Sequence, residues 1–463
     1  MNLKKCQIFT PKKTVAYMLD QIGYTEQVFG KRIVDNSCGN GQILIEVVKR
    51  FIADGIKHRI KCDQIRDSLE QCIVGCDIDE ILVKECIDNL NTESNKFGIE
   101  KVDWNIRLCD GLYLEEEQFD YVIGNPPYVA YKDLDIELRE KTKDNFVSCR
   151  DGKFDYSYAF IEKGLNLLKD GGKMVIISPS NMFKAVFGKN LRELIKADLT
   201  HIIDCSALKI FETVLTNPSI TVYHKGSKSN VVIYKELQKK GKHIEKILEK
   251  INLNDKWNFT DYTQSGIRRF GDLFKVVNSI ATLANKVFIH KINSNGELGI
   301  DVEEEILRTA KSPKSEQFDI KQKIIFPYYY ENGLHKYSEV DMRNRFPKAL
   351  NYLQTQREVL EGRDSDSNAS WFHYGRSQAL SHLNCEKLLL SSIITKAVII
   401  YKLSAEEIPY SGIFITAKQN VSLDSAILIL QTKRFYSYLI SKGIKVSGDS
   451  IRISTKDLEE YRY

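Results

Sequence analysis

No apolar run approaches the roughly 18 residues that a membrane-spanning helix needs, and the opening Met1-Asn2-Leu3-Lys4-Lys5-Cys6 has no signal-peptide core. The sequence therefore predicts a cytoplasmic protein. Ten cysteines are scattered between positions 6 and 385 with no Cys-x-x-Cys pair and no accompanying histidines. That pattern argues against a zinc site and, in a chain of 463 residues, against a disulfide scaffold. None of the nine prolines is followed by aspartate, so a Pro-Asp nuclease opening is missing and a fused nuclease is not expected. Internal repeats and long low-complexity segments are also missing. What remains, with 43% hydrophobic and 28% charged residues, has the composition of a globular protein long enough for two or three domains.

Charge is unevenly divided. Lys and Arg minus Asp and Glu is −2 over residues 1–230 and +7 over 231–463, together the +5 of the whole chain. A basic second half beside a near-neutral first half points to a polyanionic partner.

The chain is organised around Phe119-Asp-Tyr-Val-Ile-Gly-Asn-Pro-Pro-Tyr128, an apolar strand that runs into a rigid polar turn. In an open α/β sheet ligands sit at the carboxyl edge, where this turn falls. Two consecutive prolines fix φ and remove two N–H donors, which leaves the Asn125 side-chain oxygen and the Pro126 carbonyl as a stiff pair of acceptors. Such a pair suits a planar amino group with two N–H donors, and Tyr128 can lay its ring on the flat molecule that carries it. An aromatic amine is a poor nucleophile because its lone pair is delocalised. Acceptors on both hydrogens favour the pyramidal, electron-rich nitrogen that attacks a methyl sulfonium.

The preceding segments have the pattern of a nucleoside-cofactor site. Thr10-Pro11 reads as an N-cap with proline at the first helical position, followed by an apolar face of Val15, Met18, Leu19 and Ile22. Lys31–Asp35 reads as a strand, Asn36-Ser-Cys-Gly-Asn-Gly41 as a tight glycine loop and Gln42–Phe51 as an amphipathic helix whose N-terminus offers free N–H groups. Strand Cys72–Asp77 ends in an acid placed to accept ribose hydroxyls, and strand Trp104–Cys109 ends at Asp110, placed to accept from an adenine amino group. After the Asn-Pro-Pro-Tyr turn come a helix with Asp155 near its cap, a strand Lys173–Ser178 entered through Gly171-Gly172, and two β-rich stretches, His201–Cys205 and Ser219–Tyr223, expected to pair as a hairpin. Residues 226–264 are Lys-rich and low in apolar content. Beyond 265 the βα alternation is lost, and aromatic and basic residues mix in Tyr328-Tyr-Tyr330, Arg343-Asn-Arg345 and Trp371-Phe-His-Tyr-Gly-Arg376, which suits phosphate and base contacts.

This order of motifs resembles the N6-adenine DNA methyltransferases of the gamma arrangement, the TaqI-like and Eco57I-like modification enzymes of type II restriction systems. The resemblance covers about residues 5–225. It implies a Rossmann-like class I methyltransferase domain with a seven-stranded, mostly parallel sheet at 1–230, a linker at 231–264 and an α+β target-recognition domain at 265–463. It also implies that Thr10, Asp35, Ser37, Gly39, Gly41, Asp77, Ile78, Asp110 and Gly111 line a pocket for S-adenosylmethionine. Asn125, Pro126, Pro127 and Tyr128 would be the catalytic turn, with Tyr128 and Phe211 stacking on a flipped base. Trp371 and Arg376 would contact double-stranded DNA, and no metal is implied. Gly271-Asp-Leu-Phe-Lys275 and Ser279–Phe288 are similar to the opening of the family's recognition domains, with Ser279 and Leu283 where glycine is common. N4-cytosine methylation, methylation of a protein glutamine amide and a non-catalytic specificity subunit stand as alternatives. Either a separately encoded restriction endonuclease or none would accompany the enzyme.

Overall fold

The computed structural model describes residues 9–463 except 116–117, 209, 212–216, 254–255, 261, 263, 419–420 and 447–449. The chain divides into two units, Met1–Phe259 with Ile444–Gly448 and Thr260–Gly443 with Asp449–Tyr463.

The first unit alternates strands and helices: α1 (Lys12–Gln21), β1 (Ile33–Asp35), α2 (Gln42–Lys57), α3 (Cys62–Cys72), β2 (Ile73–Asp77), α4 (Glu80–Asn95), β3 (Asn105–Leu108) and β4 (Phe119–Gly124). It continues with α5 (Ile136–Asn145), α6 (Ser157–Leu167), β5 (Leu168–Pro179), α7 (Lys189–Ile195), β6 (Leu199–Asp204), β7 (Pro218–His224), β8 (Val231–Leu237) and β9 (His243–Glu249). The strands form one sheet in the order β3-β2-β1-β4-β5-β7-β6-β8-β9. The first five are mutually parallel, and β7 is antiparallel to both β5 and β6. This is the expected class I methyltransferase sheet. Its centre is buried on both faces, so the strands are continuous apolar runs: Val122 of β4 joins one core cluster and its neighbour Ile123 the other.

Three local expectations are corrected. The sheet has nine strands rather than seven, because β8 and β9 pair antiparallel within the stretch expected as a linker. Lys-rich composition hides an outer hairpin whose Val232, Tyr234 and Leu248 face the core while Lys235, Glu245 and Glu249 share the other face with Val231, Ile233 and Ile247. Trp257, stacked on Phe183 at 5.6 Å, carries the first unit on to Phe259. Thr10 does not cap α1; Pro11 occupies that position with no side-chain cap bond. Finally, β5 begins at Leu168, so Gly171 and Gly172 lie within it rather than before it.

The second unit is α+β, as expected. Strands 274–278, 413–417, 387–390 and 400–403 make one sheet, 289–291, 322–325, 307–311 and 407–409 another, and helices cover them at 339–345, 347–355, 423–430 and 433–442. Leu283 has φ +56°, which explains why glycine suits this position in the resembling domains. Its side chain packs so closely on Gly375 that a Cβ there would meet it at 2.5 Å. The expected last strand and short helix are present at Ser450–Arg452 and Thr455–Glu459.

Candidate active site

The carboxyl ends of β1, β2, β3 and β4 converge on the loop between β1 and α2. Asp35 ends β1 and is fully buried; its Oδ1 accepts from the Ser37 N–H at 3.1 Å. Asp77 ends β2, with Oδ2 accepting from the Gly39 N–H at 3.0 Å and Oδ1 from the Asp79 N–H at 2.9 Å. Asp77 thereby holds the glycine loop while keeping lone pairs toward the edge. Asp110 follows β3 and accepts from the Leu112 N–H at 3.0 Å. Gly111 has a packing reason: a Cβ there would fall 1.8 Å from the Asn36 carbonyl oxygen, so only glycine lets this turn approach the loop. Gly39 and Gly41 have φ of +52° and +82°, the left-handed conformation that turns the loop into α2.

Burial raises the Asp35 carboxyl to about 7, with a further push from the Asp77 charge and a downward pull from the Ser37 N–H. Burial raises Asp77 as well, against the backbone N–H groups of Asp79 and Gly39. Four buried polar atoms of this loop, Asp35 Oδ2, Asn36 Nδ2, Ser37 Oγ and Asn40 Oδ1, have no hydrogen-bond partner among the described residues. Groups of this kind are costly unless satisfied, and four together mark a place for a polar ligand with both donors and acceptors. Two exposed apolar side chains flank it. Ile78 is 52% exposed, and the Phe9 ring lies 3.6 Å from where a Gly39 Cβ would be. The donor and acceptor set with its apolar flanks fits an amino-acid-bearing nucleoside. Phe9, Asn36 and Asn40 were not singled out from the sequence; the asparagines stood within the glycine loop, and Phe9 just before Thr10-Pro11.

Asn125 leaves β4 on the same edge. Its Nδ2 donates to Thr10 Oγ1 at 3.1 Å, joining residues 115 positions apart. Both peptide bonds entering Pro126 and Pro127 are trans, among no cis bonds in the described residues. Tyr128 Oη donates to the Ile177 carbonyl at 3.1 Å, and burial, with Asp155 adding, holds its hydroxyl well above its usual range. Asp155 is tied to Ser157 through both N–H and hydroxyl, at 3.1 and 2.6 Å, and pairs as an isolated bridge with Ala130. The Tyr128 and Phe211 rings meet edge to face, 6.2 Å between centroids and 71° between planes, and Phe211 is buried. A base between them requires the rings to swing toward parallel.

In the second unit, Trp371 lies under the Arg357 guanidinium at 5.0 Å. Arg376 pairs with Asp364 at 2.8 Å and Asp366 at 3.4 Å, so a phosphate would compete with two carboxylates for it. Among the described residues no group of three or more His, Cys, Asp or Glu is placed to hold a metal ion, and no helix is long and apolar enough to cross a membrane.

Residues 52–211 match the Eco57I restriction-modification methylase family. The Eco57I-like resemblance drawn from the order of motifs is thereby borne out. The chain is 25% identical to the type II restriction enzyme and methyltransferase RM.Eco57I of Escherichia coli, over 82% of this chain and 47% of that protein. It thus spans about half of that relative. It is 24% identical to the type II methyltransferase M.BstVI of Geobacillus stearothermophilus, over 98% of this chain and 89% of that one. The type IIL restriction-modification enzyme MmeI, solved in complex with DNA, superimposes with a TM-score of 0.65 at 12% identity, over 98% of this chain and 63% of its own; this likeness is one of fold.

Proposed function

We propose that the chain is a site-specific DNA methyltransferase that uses S-adenosylmethionine to methylate N6 of an adenine flipped out of duplex DNA, as the modification activity of a restriction-modification system or as an orphan enzyme. One observation carries this reading: the Thr10–Asn125 hydrogen bond sets the Asn-Pro-Pro-Tyr turn beside a buried loop with four unsatisfied polar atoms.

When bound, S-adenosylmethionine supplies an electrophilic methyl on a positively charged sulfur. Asp35, with Asn36, Ser37 and Asn40 around it, would hold the amino-acid end, Asp77 the ribose hydroxyls, Asp110 the adenine amino group, and Ile78 and Phe9 the apolar faces. Asn125 Oδ1 and the Pro126 carbonyl accept the two hydrogens of the target amine. They stabilise the nitrogen as it turns pyramidal and gains positive charge in the transition state. After attack the methylated nitrogen carries the surplus proton, hydrogen-bonded to the same acceptors, until solvent takes it. Extruding a base costs a few kcal/mol, and stacking on Tyr128 and Phe211 returns about 1 to 3 kcal/mol per ring.

The test is long-read sequencing of genomic DNA from a methylation-free bacterial host that expresses the chain or its Asn125→Ala form. Modified adenine in one recurring motif, lost in the variant, is the expected result. Methylated cytosine in digested DNA would move the target to N4-cytosine. Unmodified DNA with label transferred to protein would replace the DNA reading with glutamine methylation.

A further inference from the structure

Beside this site stands an apolar knob that the proposed reaction leaves unused. Val186 and Phe187 are 61% and 43% exposed, and Val147 next to them is 45% exposed. They sit on a short helical turn, Val186–Gly188, in the segment leaving the carboxyl end of β5. Because β5 runs parallel to β4, that segment leaves the sheet on the same edge as Asn125.

The knob is held rigidly. Buried Arg192 reaches from α7 to donate through Nη1 to the carbonyls of Met182 and Ala185, at 2.7 and 2.8 Å, and so braces the stem of the segment. The Phe187 ring rests on bare backbone: a Cβ at Gly152, where φ is +68°, would lie 1.9 Å from Phe187 Cδ1. Asn190 Nδ2 joins the two loops by donating to Asp151 Oδ2 at 2.9 Å and to the Val147 carbonyl at 3.3 Å. Large apolar side chains fixed in water mark a contact surface rather than a core. Exposed Arg150, Lys153 and Lys189 lie on the same two loops and at the start of α7, beside two carboxylates: Asp151, which accepts from Asn190, and Glu193, which pairs with Lys189 at 3.7 Å and would have to give way to a phosphate there.

We propose that Val186 and Phe187 form a wedge that enters duplex DNA next to the extruded base, with Arg150, Lys153 and Lys189 on the flanking phosphates. This rests on the DNA reading above. Extruding a base leaves its neighbours unstacked, and an apolar group pressed into the gap recovers part of that cost. Cations around an apolar centre match phosphates around a base step. A second copy of the chain would instead meet the same positive charge.

The test uses the full chain and a duplex with 2-aminopurine at the adenine identified by sequencing. In the combined Val186→Ser, Phe187→Ser variant, the fluorescence rise on binding this duplex and the single-turnover methylation rate on the matching duplex with adenine at that position should each fall about tenfold. Cofactor affinity by calorimetry, melting temperature and the salt dependence of duplex binding should keep their wild-type values. Phe187→Leu alone, which keeps an apolar group, should retain most of the activity. A double variant that flips and methylates like wild type overturns the wedge, as does one that converts a dimer into a monomer in sedimentation. Wild-type protein that neither binds nor modifies any duplex overturns the proposed function, and the wedge with it.

Discussion

Burial brings the Asp35 carboxyl to a titration near neutrality. Its carboxyl, held by burial at about 7, is protonated in the folded protein where the unfolded chain, near 3.9, is already ionised. Asp35 therefore makes the ligand-free protein less stable as pH rises from about 4 to about 7. A cationic ammonium beside it reverses the preference. Affinity for S-adenosylmethionine, measured by calorimetry, should rise from pH 6 to pH 8, levelling off above the Asp35 value of about 7, and Asp35→Asn should weaken binding and flatten the profile. A wild-type affinity unchanged across that range would remove Asp35 from the cofactor site. Thr10 makes a second residue-scale prediction. Its hydroxyl accepts from Asn125 rather than capping a helix. Thr10→Val, similar in shape but without the acceptor, should lower kcat by about ten- to a hundredfold by removing one hydrogen bond that orients the Asn125 amide. Thr10→Ser should retain most of kcat. Equal losses in both variants, or a loss confined to cofactor binding, would assign Thr10 another role.

At the scale of elements, the segment between α1 and β1 is locked to α2, the helix that follows the glycine loop. Asp54, buried on α2, accepts from the N–H groups of Gln27, Val28 and Phe29 at 3.1, 2.8 and 2.9 Å. Burial pushes its carboxyl up, but these three backbone donors outweigh it and hold the group below its usual range. The stabilisation is therefore complete above the unfolded value near 3.9 and is lost as pH falls through the lower folded value. Asp54→Ala should lower unfolding stability by about 3 kcal/mol, because it leaves three backbone donors unpaired. A denaturant midpoint within error of wild type would show that the lock contributes little. Asp54 carries no motif, and its importance comes from donors more than 20 positions earlier in the chain. The hairpin β8–β9 escaped notice for a related reason. Its strands mix lysine and glutamate with isoleucine and valine on both faces of an edge pair, which composition alone reports as a connector.

For the whole molecule, the +7 excess over residues 231–463 makes a prediction about salt. If those side chains track phosphates, the logarithm of duplex affinity should fall linearly with the logarithm of salt concentration, with a slope of about −6. Fluorescence anisotropy across a salt series measures it, and a flat response would separate the basic half from DNA.

The Asn-Pro-Pro-Tyr turn, the glycine loop and the acids ending β1 and β2 were legible because each depends on local rules: proline fixes φ, glycine permits a left-handed turn, and an apolar run ending in an acid is a buried strand reaching its edge. Those rules act within a few residues, so the amino-acid sequence by itself determined seven of the nine strands, the family resemblance and most of the candidate site. Tertiary structure alone decided which partners those groups meet. It brought Thr10 to Asn125 across 115 positions, seated Phe187 on Gly152, tied Arg376 to Asp364 and Asp366, and set the Tyr128 and Phe211 rings edge to face. Contacts between distant parts of a chain follow from how the sheet and helices pack, and no local pattern encodes which side chain will lie opposite another.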